Sequence, residues 1–204
     1  MTNKVQEASQ HLAIALRTLR NEHGWSLDRA AQETGVSKAM LGQIERGESS
    51  PTIATLWKIA TGFHASLSSF LEPSPPVAAQ HFFHRSSDAV RSRPGNDGML
   101  VAPLFPFEAR FGFEIFELTL LPGYERLSEA HEAGVTEHVI VHRGTMEVLV
   151  EAKWITLTEG EALRFSADQA HGYRNTQAEP AVFHNLIHYM GVAKLNERNA
   201  EQAD

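Results

Sequence analysis

The sequence contains no cysteine, which excludes disulfides and thiolate metal sites. Any metal must therefore be held by His, Asp or Glu. No stretch approaches the roughly 20 apolar residues of a membrane helix. Residues 1–20 carry charges and lack the apolar run of a secretory signal. These absences fit a cytoplasmic protein with no membrane partner. An excess of positive charge is also missing: the 204 residues have a formal net charge of −7. That balance argues against a strong global field steering the chain toward nucleic acid. The charge is unevenly spread, however. Residues 1–72 hold seven Lys/Arg and seven Asp/Glu, so all the net acidity lies in the remainder. A neutral segment can still meet phosphates if its basic groups share one face.

What is present divides the chain in two. Residues 9–71 read as short helices, from apolar residues at helical spacing and small-residue turns. Residues 72–80 contain three prolines, which remove donors and fix φ, and they read as a semi-rigid linker. A loop is expected over Ser86–Gly98. From Met99 onward the texture changes to short runs rich in β-branched and aromatic residues, at 99–104, 111–121, 137–143, 145–151, 161–166, 170–175 and 181–189. Many short strands with frequent turns indicate a sandwich or barrel. Residues 192–204 are polar and read as a frayed tail or short helix. The expected domains are 8–72, an all-α unit; 73–98, linker and barrel entry; and 99–190, an all-β unit.

In the helical half, Leu12, Leu16 and Leu19 share one helix face, and Gly24 ends that helix. Ser26 suits an N-cap before Leu27, Ala30 and Ala31. Gly35–Val36 makes a short turn, and Ser37 caps a third helix whose buried side is Met40, Leu41 and Ile44. Lys38, Ala39, Gly42, Gln43 and Arg46 fall largely on its other side. Pro51 or Thr52 opens a fourth helix. Two short helices joined at a glycine, the second with a polar outer face, form a helix-turn-helix plan. The residues Leu16–Arg17, Leu19–Arg20, Gly24, Leu27, Ala31, Gly35–Val36–Ser37, Leu41, Ile44–Glu45–Arg46–Gly47, Pro51, Leu56, Ile59–Ala60 and Leu67 resemble the five-helix domain of phage-repressor and XRE-type regulators. That resemblance implies binding to a double-stranded DNA operator. It places base readers at Lys38, Ala39 and Gln43, with Ser37, Arg46, Ser49 and Thr52 toward the duplex. Gln can pair with adenine and Lys with guanine in the major groove. Glu45 is implied to be structural, paired with Arg20.

In the second half, turn glycines are tied to possible ligands in two constellations. The first runs Gly123, His131, Ala133, Glu137, Gly144; the second runs Gly160, His171, Asn175. Strand alternation puts Glu137, Val139 and Val141 on one face, and His171 with Tyr173 on another. These residues resemble the two cupin motifs, so a double-stranded β-helix (jelly-roll) fold is implied for the all-β unit. By position the resemblance implies metal ligands at His131, Glu137 and His171. It departs from the family at Ala133, where a second histidine is usual, and at Ser166 and Asp168, where proline and glycine are usual. Two histidines and a carboxylate would suit a divalent ion such as Zn, Fe, Mn or Ni. Arg164, Tyr173, His184 and His188 are further candidates for ligand contact, each with an alternative in packing or an internal ion pair. His138 and His142 are expected to face outward.

The combination resembles cupin-containing XRE regulators. Within them the sulfur-utilisation regulator group is the best match, on Gly35 to Arg46, Pro51–Thr52, Ala54 to Gly62 and Leu186 to Tyr189. This implies a transcriptional regulator, not an enzyme, acting as a homodimer and sensing a small-molecule effector such as a sulfur compound or an amino acid. Two other readings stay open from sequence: a metal-dependent cupin enzyme of dioxygenase or isomerase type, and a barrel serving only as a protein-interaction module.

Overall fold

A computed structural model describes residues 2–73 and 82–189, with side chains from residue 7 onward. The linker expected at 72–80 lies largely outside these residues, and the polar tail at 192–204 entirely so. The described chain forms two compact units, one helical and containing residues 2–73, the other β-rich and containing 98–189.

The helical unit comprises α1 (Thr2–Glu22), α2 (Leu27–Thr34), α3 (Lys38–Glu45), α4 (Ile53–Gly62) and α5 (Ser68–Leu71). Its starts follow local chemistry. Ser26, Ser37 and Thr52 each cap a helix, accepting from the N–H of Arg29, Met40 and Thr55. Gly35 ends α2 at φ 65°, a left-handed conformation, and its N–H donates to Ala31 O at 3.0 Å. That single residue lets the chain turn between α2 and α3. The core is Leu12, Leu16, Ala30, Leu41, Ile44, Ile53, Leu56, Ile59, Phe63 and Phe70, all buried. Each such aliphatic side chain contributes about 1.5–3 kcal/mol on burial. Two expectations need correction. The first helix begins at Thr2, well before residue 9. Gly42 is buried, because a side chain there would press on Arg46 and on Leu27 of α2.

The second unit opens with a short helix, α6 (Ser87–Val90), inside the expected loop. Among the described residues nine strands follow: β1 (Met99–Glu108), β2 (Phe113–Leu120), β3 (Glu125–Ser128), β4 (Val135–Arg143), β5 (Thr145–Val150), β6 (Lys153–Thr158), β7 (Ala162–Ser166), β8 (His171–Arg174) and β9 (Ala181–Tyr189). They form a five-stranded sheet, β1-β2-β9-β4-β7, and a four-stranded sheet, β3-β8-β5-β6, with antiparallel pairing throughout. Inward residues of the first sheet, among them Phe116, Leu118, Val139, Val141, Phe183 and Ile187, build the core with Met146, Val148, Leu157 and Tyr173 of the second. Tyr173 and Phe183 stack with ring centroids 5.5 Å apart. Gly144 joins β4 to β5 at φ 81°, where a Cβ would lie 2.8 Å from the Pro180 carbonyl oxygen. Asn175 holds the adjoining turn, its Nδ2 donating to Leu120 O and Glu179 O at 3.1 and 2.8 Å.

Candidate nucleic-acid interface and metal centre

The outer face of α3 is open. Ala39 and Gln43 are exposed, and the Lys38 side chain is 58% exposed. Lys38 Nζ donates to Asp28 Oδ2 at 2.8 Å, and Arg46 pairs with Glu48 at 2.7 Å. Such exposed pairs are weak and easily exchanged for phosphate. The hydroxyls of Ser37 and Thr52 are engaged in their caps, and Ser49 Oγ lies 3.5 Å from Met40 Sδ. The orientation of α3 is set from its other end. Glu45, nearly buried, receives two hydrogen bonds from Arg20 of α1, at 2.6 and 2.9 Å. Arg20 also donates to Trp25 O at 2.8 Å, tying α1, α3 and the turn after α1 together. The sequence missed Asp28 and Glu48, the two carboxylates that hold the basic groups of this surface.

In the barrel, strand pairing concentrates polar groups around Glu137. The carboxylate is buried on β4, between Ile187 of β9 and Phe165 of β7. His131 Nε2 lies 3.0 Å and His171 Nε2 3.3 Å from Glu137 Oε1. The other oxygen accepts from the Tyr173 hydroxyl and from Asn185 Nδ2, the latter at 2.8 Å. His171 Nδ1 lies 2.9 Å from Gln169 O, so the proton sits on Nδ1 and the Nε2 lone pair faces the interior. That Nε2 is buried and has no partner of hydrogen-bond geometry. One atom from each of His131, Glu137 and His171 lies within 4.8 Å of the others. The donor set, the fixed tautomer and the orphaned Nε2 fit a divalent ion, with Tyr173 and Asn185 orienting the carboxylate behind it. Ala133, exposed, supplies no fourth ligand.

Electrostatics agree with this reading. Burial pushes the Glu137 carboxyl up, but the His131 hydrogen bond and the closeness of the His171 imidazole outweigh it and hold it well below the usual range. Burial lowers His171, yet the Glu137 carboxylate raises it more. Burial and the Glu137 charge push the Tyr173 phenol well up, so it remains a donor.

The other expected ligand contacts fall elsewhere. Arg164 is exposed, because it pairs in register with His138 while Phe165 takes the inward position beside Glu137. His184 and His188 alternate with the buried Phe183, Asn185 and Ile187, which puts both on the opposite face of β9. There His184 stacks on exposed His142, centroids 5.7 Å apart, and lies 3.8 Å from Glu117. The sequence did not single out Asn185. Its signal was present in β9, where it occupies the inward period between Phe183 and Ile187.

A helix-turn-helix unit with a free third helix and a barrel with an inward His–Glu–His cluster together define a DNA-binding regulator of the cupin-containing class. Residues 16–70 match the helix-turn-helix family model, and residues 116–188 match the cupin domain model. Over 185 residues the chain is 44% identical to the HTH-type transcriptional regulator SutR of Escherichia coli (strain K12), covering 91% of this chain and 98% of that one. It also resembles the crystal structure of an HTH_3 family transcriptional regulator from Vibrio cholerae, with a TM-score of 0.77 and 47% identity, covering 89% of this chain and 96% of that one. The chain belongs to the family of HTH-type transcriptional regulators that SutR represents. Among the described residues no helix is long and apolar enough to cross a membrane.

Proposed function

We propose that the protein is an effector-responsive regulator that binds inverted DNA half-sites as a homodimer in the cytoplasm. Its working parts are residues 8–72 on DNA and 99–190 as sensor, joined by 73–98. Lys38, Ala39 and Gln43 meet base edges; Ser37, Arg46, Ser49 and Thr52 lie toward the backbone, Ser37 and Thr52 through the N–H groups at their helix starts. A dimer would span half-sites about 34 Å apart, one helical turn. The exposed outer face of α3, fixed by Arg20 and Glu45, supports the DNA role.

The barrel acts as a sensor and not as a catalyst. His131, Glu137 and His171 would hold a divalent ion, and Tyr173 would face the bound molecule. The single observation carrying this reading is the buried His171 Nε2, which lies 3.3 Å from Glu137 Oε1 and makes no hydrogen bond. A bound ion supplies charge and open coordination positions to an effector. Coupling requires the effector to favour one DNA-binding state over another. Native mass spectrometry with elemental analysis tests the proposal. The expected result is a dimer with one divalent ion per chain, and an operator affinity altered by chelation. A monomer free of metal, with chelator-insensitive operator binding, would overturn it.

A further inference from the structure

The chain visits the helical unit twice. Residues 82–93 and 98–189 belong to the β-rich unit, yet Pro94–Asp97 between them belongs to the helical one. Both feet of this excursion are fastened within the β-rich unit. On one side Ser92 pairs with Val101 of β1, and the two exchange N–H to O bonds of 2.8 and 2.9 Å. Arg91, just before it, pairs with Glu117 of β2. On the other side the Leu121 N–H donates to Gly98 O at 2.9 Å. A Cβ on Gly98 would lie 2.3 Å from Tyr124 Cδ2, so the chain passes hard against that ring.

The tip is a tight turn. Gly95 and Asn96 are both left-handed, at φ 59° and 53°, and the Asp97 N–H donates to Pro94 O at 3.1 Å. Position 95 needs glycine for a second reason. A Cβ there would lie 2.7 Å from Thr52 N and Cα and 2.9 Å from Pro51 C, backbone atoms that cannot swing aside. The Gly95 N–H also donates to Ser50 Oγ across a long 3.4 Å. The tip is thus seated on residues 50–52, in the segment between α3 and α4. Thr52 caps α4, its Oγ1 accepting from the Thr55 N–H at 3.2 Å. Ser49 and Thr52 of the proposed DNA surface lie in this same segment.

The Gly98 foot leads back to the metal centre in a few steps. The Tyr124 N–H donates to Leu121 O at 3.1 Å, and Tyr124 O accepts from the Asn175 N–H at 2.8 Å. Asn175 directly follows β8, the strand that sets His171 and Tyr173 beside Glu137. Continuity alone does not couple two sites; an element with two arrangements is required. The tip is such an element. Its seat is a close backbone fit plus one long hydrogen bond, so a small free-energy difference decides between seated and withdrawn. We infer that the Pro94–Asp97 turn carries the state of the barrel to the DNA-binding unit: β8 and the Tyr124–Gly98 foot respond to occupation of the His131–Glu137–His171 centre, and the tip changes its seat on Pro51–Thr52. The inference rests on the barrel being the sensor, and it adds the route by which the signal leaves it.

The test uses the full-length protein, zinc-loaded and chelated, with a duplex it selects from a random pool. Wild-type affinity for that duplex should differ by about fivefold or more between the two forms. Gly95→Ala, whose added Cβ unseats the tip, should shrink that difference severalfold and leave zinc content at the wild-type level. Asn96→Ala changes an exposed left-handed residue of the same turn and should keep the difference. Equal shrinkage in both variants would assign the effect to strain in the turn and overturn the role of the seat. Hydrogen exchange read by mass spectrometry gives a second measure on the wild type, which decides if Gly95→Ala does not fold. Zinc should change protection at the tip and at residues 53–56 of α4 together. A zinc response confined to the barrel, or a difference as large in Gly95→Ala as in wild type, would overturn the inference and leave the sensor reading standing. Wild-type affinity that is the same with zinc and with chelator would overturn both.

Discussion

Arg20 and Glu45 stand on different helices, α1 and α3, and meet in a two-pronged ion pair whose arms measure 2.6 and 2.9 Å. The pair sits at the C-terminal end of α3, while Lys38 and Ala39 of the proposed DNA face lie at its N-terminal end. A tether at one end fixes the angle at which the other end is presented. Glu45 is nearly buried, so removing either partner strands a charge. Glu45→Ala should lower the stability of the helical unit by about 1–3 kcal/mol, read from urea unfolding followed by far-UV circular dichroism. Operator affinity should fall with it, through the lost orientation of α3.

Asp28 restrains Lys38 on the proposed DNA face, with 2.8 Å between the charged atoms. It is also a negative charge close to where phosphates would lie. Asp28→Asn should strengthen DNA binding at low salt and steepen the salt dependence, by up to about one in the slope of log affinity against log salt. Fluorescence anisotropy over a salt series reads both effects. Unchanged affinity and slope would place Lys38 outside the interface.

The Glu137–His171 pair gives the metal-free barrel a definite pH response. Glu137 is held below its ordinary value, so its contribution to stability is present above that ordinary value and is lost as pH falls through the depressed one. His171 is raised, so its contribution is fully present below the ordinary histidine value and is lost as pH rises through the raised one. Chelated protein should therefore melt highest in the mildly acidic window between the usual carboxylate and histidine ranges. Glu137→Gln should flatten that profile. Metal affinity should show the opposite trend and rise with pH, because the ion displaces the imidazole proton.

His171→Ala removes the histidine whose free Nε2 faces the interior. Bound metal should fall to background by elemental analysis, while the helical unit keeps its far-UV signal. Full metal content in this variant would show that the ion is held elsewhere.

Much of this arrangement was legible in the sequence, and the failures have physical causes. Caps at Ser26, Ser37 and Thr52 are local chemistry, and each forms as its residue type dictates. The resemblance to the cupin motifs pointed to His131, Glu137 and His171, and these three meet in the barrel. Strand β6 was missed because its turn uses Glu151 and Ala152 at φ 49° and 60°, conformations that neither residue type advertises. Four of its six residues are also exposed, so its apolar signal is faint. Strand β3 was missed because it is four residues long and three of them are polar. Arg164 misled for the converse reason: its apolar neighbours suggested burial, but the register of β4 with β7 sends it outward.

In the proposed function the exposed face of α3 reads DNA sequence through Gln43. This is tested most directly by titrating Gln43→Ala and wild-type protein against operator and unrelated duplexes at one salt concentration. The account predicts a loss of about 1–3 kcal/mol on the operator with affinity for unrelated duplex unchanged. Equal losses on both, or no loss on either, would contradict it.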